Sequence, residues 1–158
     1  MCLNVVKYSY MALREQLMAD LKQAMLAKES SKVSTIRFLQ SEIKNKEIDV
    51  RTENRDLTED EVLTVLQKEA KKRKDNITLY TDNGRSDLAN SEQAELDIIM
   101  AYLPEQMSAD DISALIDTEL ANMDNPEFKD AIKIIMPLLK GKADGKLVSD
   151  ILRSKLSQ

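Results

Sequence analysis

Histidine is absent from this chain of 158 residues. Its absence removes the commonest general base, the usual metal ligand, and every nucleophile pair of the Ser–His or Cys–His kind. Tryptophan is absent as well, and aromatic residues make up only 4% of the chain. The cores must therefore be filled by Leu, Ile, Val and the eight methionines, which are flexible gap-fillers. Three glycines and three prolines leave little turn punctuation, which favours long helices and few loops. The lone cysteine, Cys2, has no internal disulfide partner, suits a reducing compartment, and lacks the basic neighbour that would activate it. No apolar run approaches the roughly 20 residues of a membrane span. The opening Met1-Cys2-Leu3-Asn4-Val5-Val6 is too short and too weakly basic for a secretory signal. Helical patterning begins only at Met11, so residues 1–10 are expected to be a disordered extension, with Met1 and Met11 both open as translation starts. The cytoplasm is the expected address, with an organelle matrix left open.

What the chain has in quantity is charge set at helical spacing. Charged residues make up 32% and the net charge is -5, the wrong sign for a non-specific nucleic-acid binder. The charge is unevenly spread. Residues 105–128 carry Glu105, Asp110, Asp111, Asp117, Glu119, Asp124 and Glu127 with no base, whereas residues 129–158 carry Lys129, Lys133, Lys140, Lys142, Lys146, Arg153 and Lys155 against Asp130, Asp144 and Asp150. The C-terminal third thus keeps an RNA contact open.

Apolar residues recur every three or four positions: Leu13, Leu17, Leu21 and Met25, then Val33, Ile36, Leu39, Ile43 and Val50. Thr58 and Glu61 have capping-box spacing, with Leu57 and Val62 at the staple positions. The third helix runs through Val62, Leu66, Ala70, Arg73, Ile77 and Tyr80 to a stop at Gly84. A fourth uses Leu88, Glu92, Leu96, Ile99 and Leu103 and ends before Pro104. Ser108 and Asp111 repeat the capping box. Asn125-Pro126 reads as a cap followed by a first-turn proline. Pro137 should kink the sixth helix or end it at Met136, and Leu147 to Leu156 form the last. The expected architecture is all-α, in two different bundles: four longer helices over 11–103 and a small three-helix module over 104–158.

Few constellations could carry chemistry. Asp110-Asp111 is explained as first-turn acid facing a helix dipole. Gly141-Lys142-Ala143-Asp144-Gly145-Lys146 fails as a nucleotide loop, because its glycine spacing is one residue short and Leu147 replaces the magnesium-binding hydroxyl. A solvated turn and a phosphate contact, made by Lys140, Lys142 and Lys146 with helix-start N–H groups, both remain open for it. Lys68, Lys71 and Lys72 share a helix face that Glu69 and Asp75 dilute, so a solvated face is the plainer reading. Arg85 is read as bonded to a carboxylate or to helix-end carbonyls and Asp87 as a cap, both structural. No catalytic residue, metal or cofactor is expected.

Several phrases together have a family character: Tyr80, Gly84-Arg85, Asp87-Leu88-Ala89, Tyr102-Leu103-Pro104-Glu105-Gln106-Met107-Ser108, Met136-Pro137 and Lys140-Gly141-Lys142-Ala143-Asp144-Gly145-Lys146. In that order and separation they resemble the GatB/YqeY family, specifically its stand-alone YqeY-like proteins, from about Leu13 to Leu156. The resemblance implies kinship with the C-terminal helical and tail region of the B subunit of glutamine-dependent aspartyl/glutamyl-tRNA amidotransferase. That tail resembles a tRNA-body reader, so the resemblance implies a non-catalytic tRNA-associated adaptor, with Lys140, Lys142 and Lys146 as the RNA-facing candidates. Expected partners are tRNA and amidotransferase or aminoacyl-tRNA synthetase components, with no membrane and no DNA. The alternatives are an enzyme or accessory subunit of amide transfer, a carbon–nitrogen ligase with glutamine as amide donor, or a protein–protein adaptor without RNA.

Overall fold

The computed structural model describes residues 12–157, which form seven helices and no strand, an all-α chain. The expected disorder of residues 1–10 lies outside the described residues. The chain divides into two compact units between Tyr102 and Leu103.

The first unit contains α1 (Leu13–Leu26), α2 (Ser30–Arg51), α3 (Glu59–Asp82) and α4 (Ser86–Met100). The stripes read from the sequence bury Leu17, Ile36, Leu39, Ile43, Val50, Val62, Leu66, Leu96 and Ile99. α3 packs along α4, α1 along α2, and α2 touches both α3 and α4. Local chemistry sets the helix ends. The Glu61 N–H donates to Thr58 Oγ1 at 3.3 Å and the Thr58 N–H to Glu61 Oε2 at 3.0 Å, closing the capping box. At the other end of α3, Gly84 adopts φ 70°, Arg85 N–H donates to the Tyr80 carbonyl at 2.8 Å, and Gly84 N–H to the Thr81 carbonyl at 3.0 Å. These two bonds make a Schellman stop, which explains the spacing of Tyr80, Gly84 and Arg85.

Arg85 then takes the N-cap position of α4. Asp87 is not that cap, contrary to expectation; it lies inside the first turn and receives both Nε and Nη2 of Arg85 at 3.2 Å. The Arg85 bond, more than neighbouring backbone N–H groups, lowers the Asp87 carboxyl from its ordinary range. Tyr102 is buried, and its hydroxyl donates to Asp20 Oδ2 at 2.8 Å, tying the residues after α4 to α1.

Between α3 and α4 the apolar pattern gives way to charge. Glu69 is 1% exposed and accepts Lys72 Nζ at 2.6 Å and Arg73 Nη1 at 3.4 Å. The Arg73 Nε reaches Glu95 at 3.0 Å and Glu92 at 3.4 Å, and the guanidinium lies 4.9 Å from the Phe38 ring centroid. The Glu92 contact is an ion pair without hydrogen-bond geometry, so its buried Oε2 is held by charge alone.

The second unit contains α5 (Ala109–Ala121), α6 (Phe128–Leu138) and α7 (Gly145–Leu156), each packed on the other two. Ile112, Ile116, Ala131, Ile135, Leu139, Val148 and Leu152 form its core. Ser108 and Asp111 close the second capping box, and Asp111 is lowered first by the Ser108 hydroxyl and then by its N–H. Two expectations need correction here. Asn125 does not cap α6; it adopts φ 52°, the left-handed geometry asparagine tolerates, and the helix starts after Glu127. Pro137 does not end α6 at Met136. The helix continues to Leu138, because a proline in the last turn deletes only one ladder bond.

Two outcomes follow. Arg73→Met should leave Glu69 with Lys72 alone and Glu92 uncompensated, lowering stability by about 3 kcal/mol in urea unfolding; adding Glu69→Gln to that variant should recover part of the loss. The Glu61 carboxyl is lowered from 4.5 to about 2, first by Arg55 and then by the Thr58 N–H. A carboxyl depressed on folding stabilises above its unfolded pKa and loses that contribution as pH falls toward its folded one. Thermal melts of Glu61→Gln should therefore start below wild type at neutral pH and decline less steeply between 4.5 and about 2.

Candidate nucleic-acid interface

The Lys140–Lys146 turn joins α6 to α7, and its shape is set from a distant part of the same unit. Gly141 is buried with φ 81°, a left-handed geometry that costs a side-chain-bearing residue about 1 kcal/mol or more. Its carbonyl accepts Gln106 Nε2 at 2.7 Å, and the same nitrogen donates to the Pro104 carbonyl at 2.8 Å. The Met107 N–H donates to the Lys142 carbonyl at 2.9 Å. The Lys142 and Ala143 N–H groups fold back to the Leu139 carbonyl at 3.0 and 3.1 Å. The Tyr-Leu-Pro-Glu-Gln-Met and Lys-Gly-Lys phrases, 35 residues apart, are thus two sides of one hydrogen-bonded clamp.

That clamp leaves Lys140, Lys142 and Lys146 exposed on the outside of the turn. Neither Lys142 nor Lys146 has an ion-pair partner among the described residues. The start of α7 is not an open anion site, however. Asp144 Oδ1 already accepts the Lys146 N–H at 2.8 Å and the Leu147 N–H at 3.2 Å. Those two backbone donors are occupied by this cap and Lys140 is engaged within the chain, so the ammonium groups of Lys142 and Lys146 are what the turn offers. Lys129 and Lys133, also exposed, lie one turn apart on α6, on the side away from Ala131 and Ile135. They add positive charge to the same unit, and their spacing of four residues marks one helix face in the sequence. Lys133 shares its charge with Asp130 at 3.3 Å. Other C-terminal cations serve the unit itself: Lys155 pairs with Asp117 at 2.6 Å and Arg153 lies 5.0 Å from the Phe128 ring centroid.

Lys68, Lys71 and Lys72 lie on α3, in the other unit. Lys72 neutralises Glu69, Lys71 is engaged as well, and Lys68 lines a groove of about 440 Å³ that also contains Glu42, Asp49 and Glu61. This face is mixed in charge. Arg85, Asp87, Tyr102 and Pro104 serve the architecture described above. Among the described residues no cluster of Cys, Asp or Glu is placed to hold a metal, and no helix is long and apolar enough to cross a membrane.

A family model described as Yqey-like protein matches residues 14–156. The chain belongs to the YqeY-like family. Among similar proteins are those called "Altered inheritance of mitochondria protein 41, mitochondrial". The Lachancea thermotolerans protein is 39% identical over 133 residues, covering 79% of this chain and 69% of its own length. The Vanderwaltozyma polyspora protein is 48% identical over 84 residues, covering 53% and 44%, and the Eremothecium gossypii protein 40% over 103, covering 64% and 55%. This YqeY-like chain therefore spans about half the length of the latter two.

Gln106→Leu should remove both clamp bonds and lower stability by about 1–2 kcal/mol. Hydrogen exchange should report lost protection at the Met107 amide while helical circular dichroism stays unchanged.

Proposed function

We propose that this YqeY-like chain is a tRNA-associated binding and adaptor protein that performs no chemistry of its own. The observation that carries the reading is the clamped Lys140–Lys146 turn, whose Lys142 and Lys146 ammonium groups point to no carboxylate among the described residues. Unpaired lysines on a fixed backbone suit phosphate oxygens, because releasing condensed counterions from RNA drives such contacts. Lys129 and Lys133 on α6 add positive charge in the same unit. The second unit also lacks an open base-stacking platform. Phe128 is its aromatic residue, and Arg153 covers that ring. Contact with the sugar–phosphate backbone is the mode that fits, and it positions a folded RNA without reading sequence. The name of the relatives adds a mitochondrial address as the reading for this chain's compartment.

Fluorescence anisotropy with labelled tRNA across a salt series tests the function. Wild type should bind, with affinity falling as salt rises. The triple variant Lys140→Gln, Lys142→Gln, Lys146→Gln should bind at least tenfold more weakly, with its log–log salt slope shallower by about 2–3. No retention of tRNA by the wild type at low salt would defeat the reading. Glutamine- and ATP-dependent amidation of mischarged tRNA by the purified chain would replace it with the amide-transfer alternative.

A further inference from the structure

The first unit carries a second surface that the RNA reading does not use. An open groove of about 710 Å³ lies at the α1–α2 corner, lined by Met25, Lys28, Ser30, Val33, Ser34 and Arg37. Its apolar floor continues along α1. Met25 is 51% exposed, the neighbouring Leu26 78%, and Met18, two turns earlier on the same side, 66%. Core-forming side chains on α1 face α2, so these are a separate outward stripe.

The charge in the groove has one sign. Lys28 and Arg37 are its charged residues, and neither meets a carboxylate among the described residues. The nearby Glu29 turns instead to Lys32 at 3.9 Å, and Arg37 Nη2 lies 3.9 Å from the Met25 sulfur. Lys28 is held firmly. Its φ is 57°, with Glu29 N–H donating to the Ala24 carbonyl at 3.0 Å and Lys28 N–H to the Met25 carbonyl at 3.3 Å. This is the same stop that ends α3, with a lysine at the position where Gly84 stands there. A left-handed lysine is a strained choice where glycine would be relaxed, and strain retained at an exposed corner points to use of the side chain.

We propose that the α1–α2 groove docks an acidic amphipathic helix from a partner protein. Its apolar side would lie on Met25 and Val33, and its carboxylates would meet Lys28 and Arg37. Flexible thioethers repack around varied apolar side chains, and two neighbouring helices offer a third a ready seam. Other segments of this chain fit less well. The first eleven residues contain Lys7 and no carboxylate, so they bring no counter-charge. The acidic α5 of a second copy has already committed Ile112 and Ile116 to its own core.

Methyl NMR of the full chain labelled at methionine tests the proposal directly. The probes are a designed helical peptide with leucines at i, i+3, i+4 and i+7 flanked by glutamates, its lysine-for-glutamate counterpart, and phosphatidylserine vesicles. The acidic peptide should shift the Met25 and Met18 methyl signals saturably. Arg37→Glu should weaken it at least tenfold, and so should Lys28→Glu; either variant should gain affinity for the lysine peptide. Both positions are exposed, and an unchanged thermal melt confirms folding. Equal response to both peptides, signals that move with protein concentration alone, or vesicle binding in place of peptide binding would each overturn the proposal.

Discussion

Arg73 carries its charge into the interior of the first unit, where only carboxylates on adjoining helices make that placement tolerable. Glu69 from the same helix and Glu92 and Glu95 from α4 meet it, and Phe38 of α2 brings an aromatic ring beneath the guanidinium. Apolar faces alone would let α3 and α4 slide by a turn at modest cost, because aliphatic surfaces are only weakly particular about partners. The ion network removes that freedom, since a slip would part the half-buried Arg73 from Glu92 and Glu95 and leave it only Glu69 on its own helix. The capping box at Thr58 and the Schellman stop at Gly84 then bound α3 at its two ends.

The second unit solves a different problem with less charge. Its core is aliphatic, and its long α6–α7 turn is shaped by amide bonds from Gln106 and Met107. A turn fixed in this way presents its lysines at defined points on the surface. The same economy explains the acidic Asp144: it satisfies the α7 start internally, and it leaves the lysines to do any binding by charge.

Much of this architecture was legible in the residues. The two capping boxes, the glycine stop, the break near Pro104 and the aliphatic stripes all depend on neighbours three or four positions apart, and such short-range patterns survive translation into sequence. The Asn125 reading went astray because asparagine serves equally as a cap and as a left-handed turn residue, and local spacing does not separate the two. Asp87 lies two residues past the Arg85 cap for a similar reason: a carboxylate near a helix start suits either the cap or the first turn.

By itself the sequence determined an all-α chain, excluded histidine-based chemistry, located most helix ends and identified the lysine-rich turn. Only the tertiary structure decided which charges are spent and which are available. Lys72 and Lys155 are consumed by Glu69 and Asp117, while Lys142, Lys146, Lys28 and Arg37 are exposed and meet no carboxylate among the described residues. It also decided that Gln106 holds Gly141 and that Tyr102 reaches Asp20, across 35 and 82 residues. Helical periodicity and capping are properties of adjacent turns, whereas ion pairing and clamp bonds depend on which turns packing brings together.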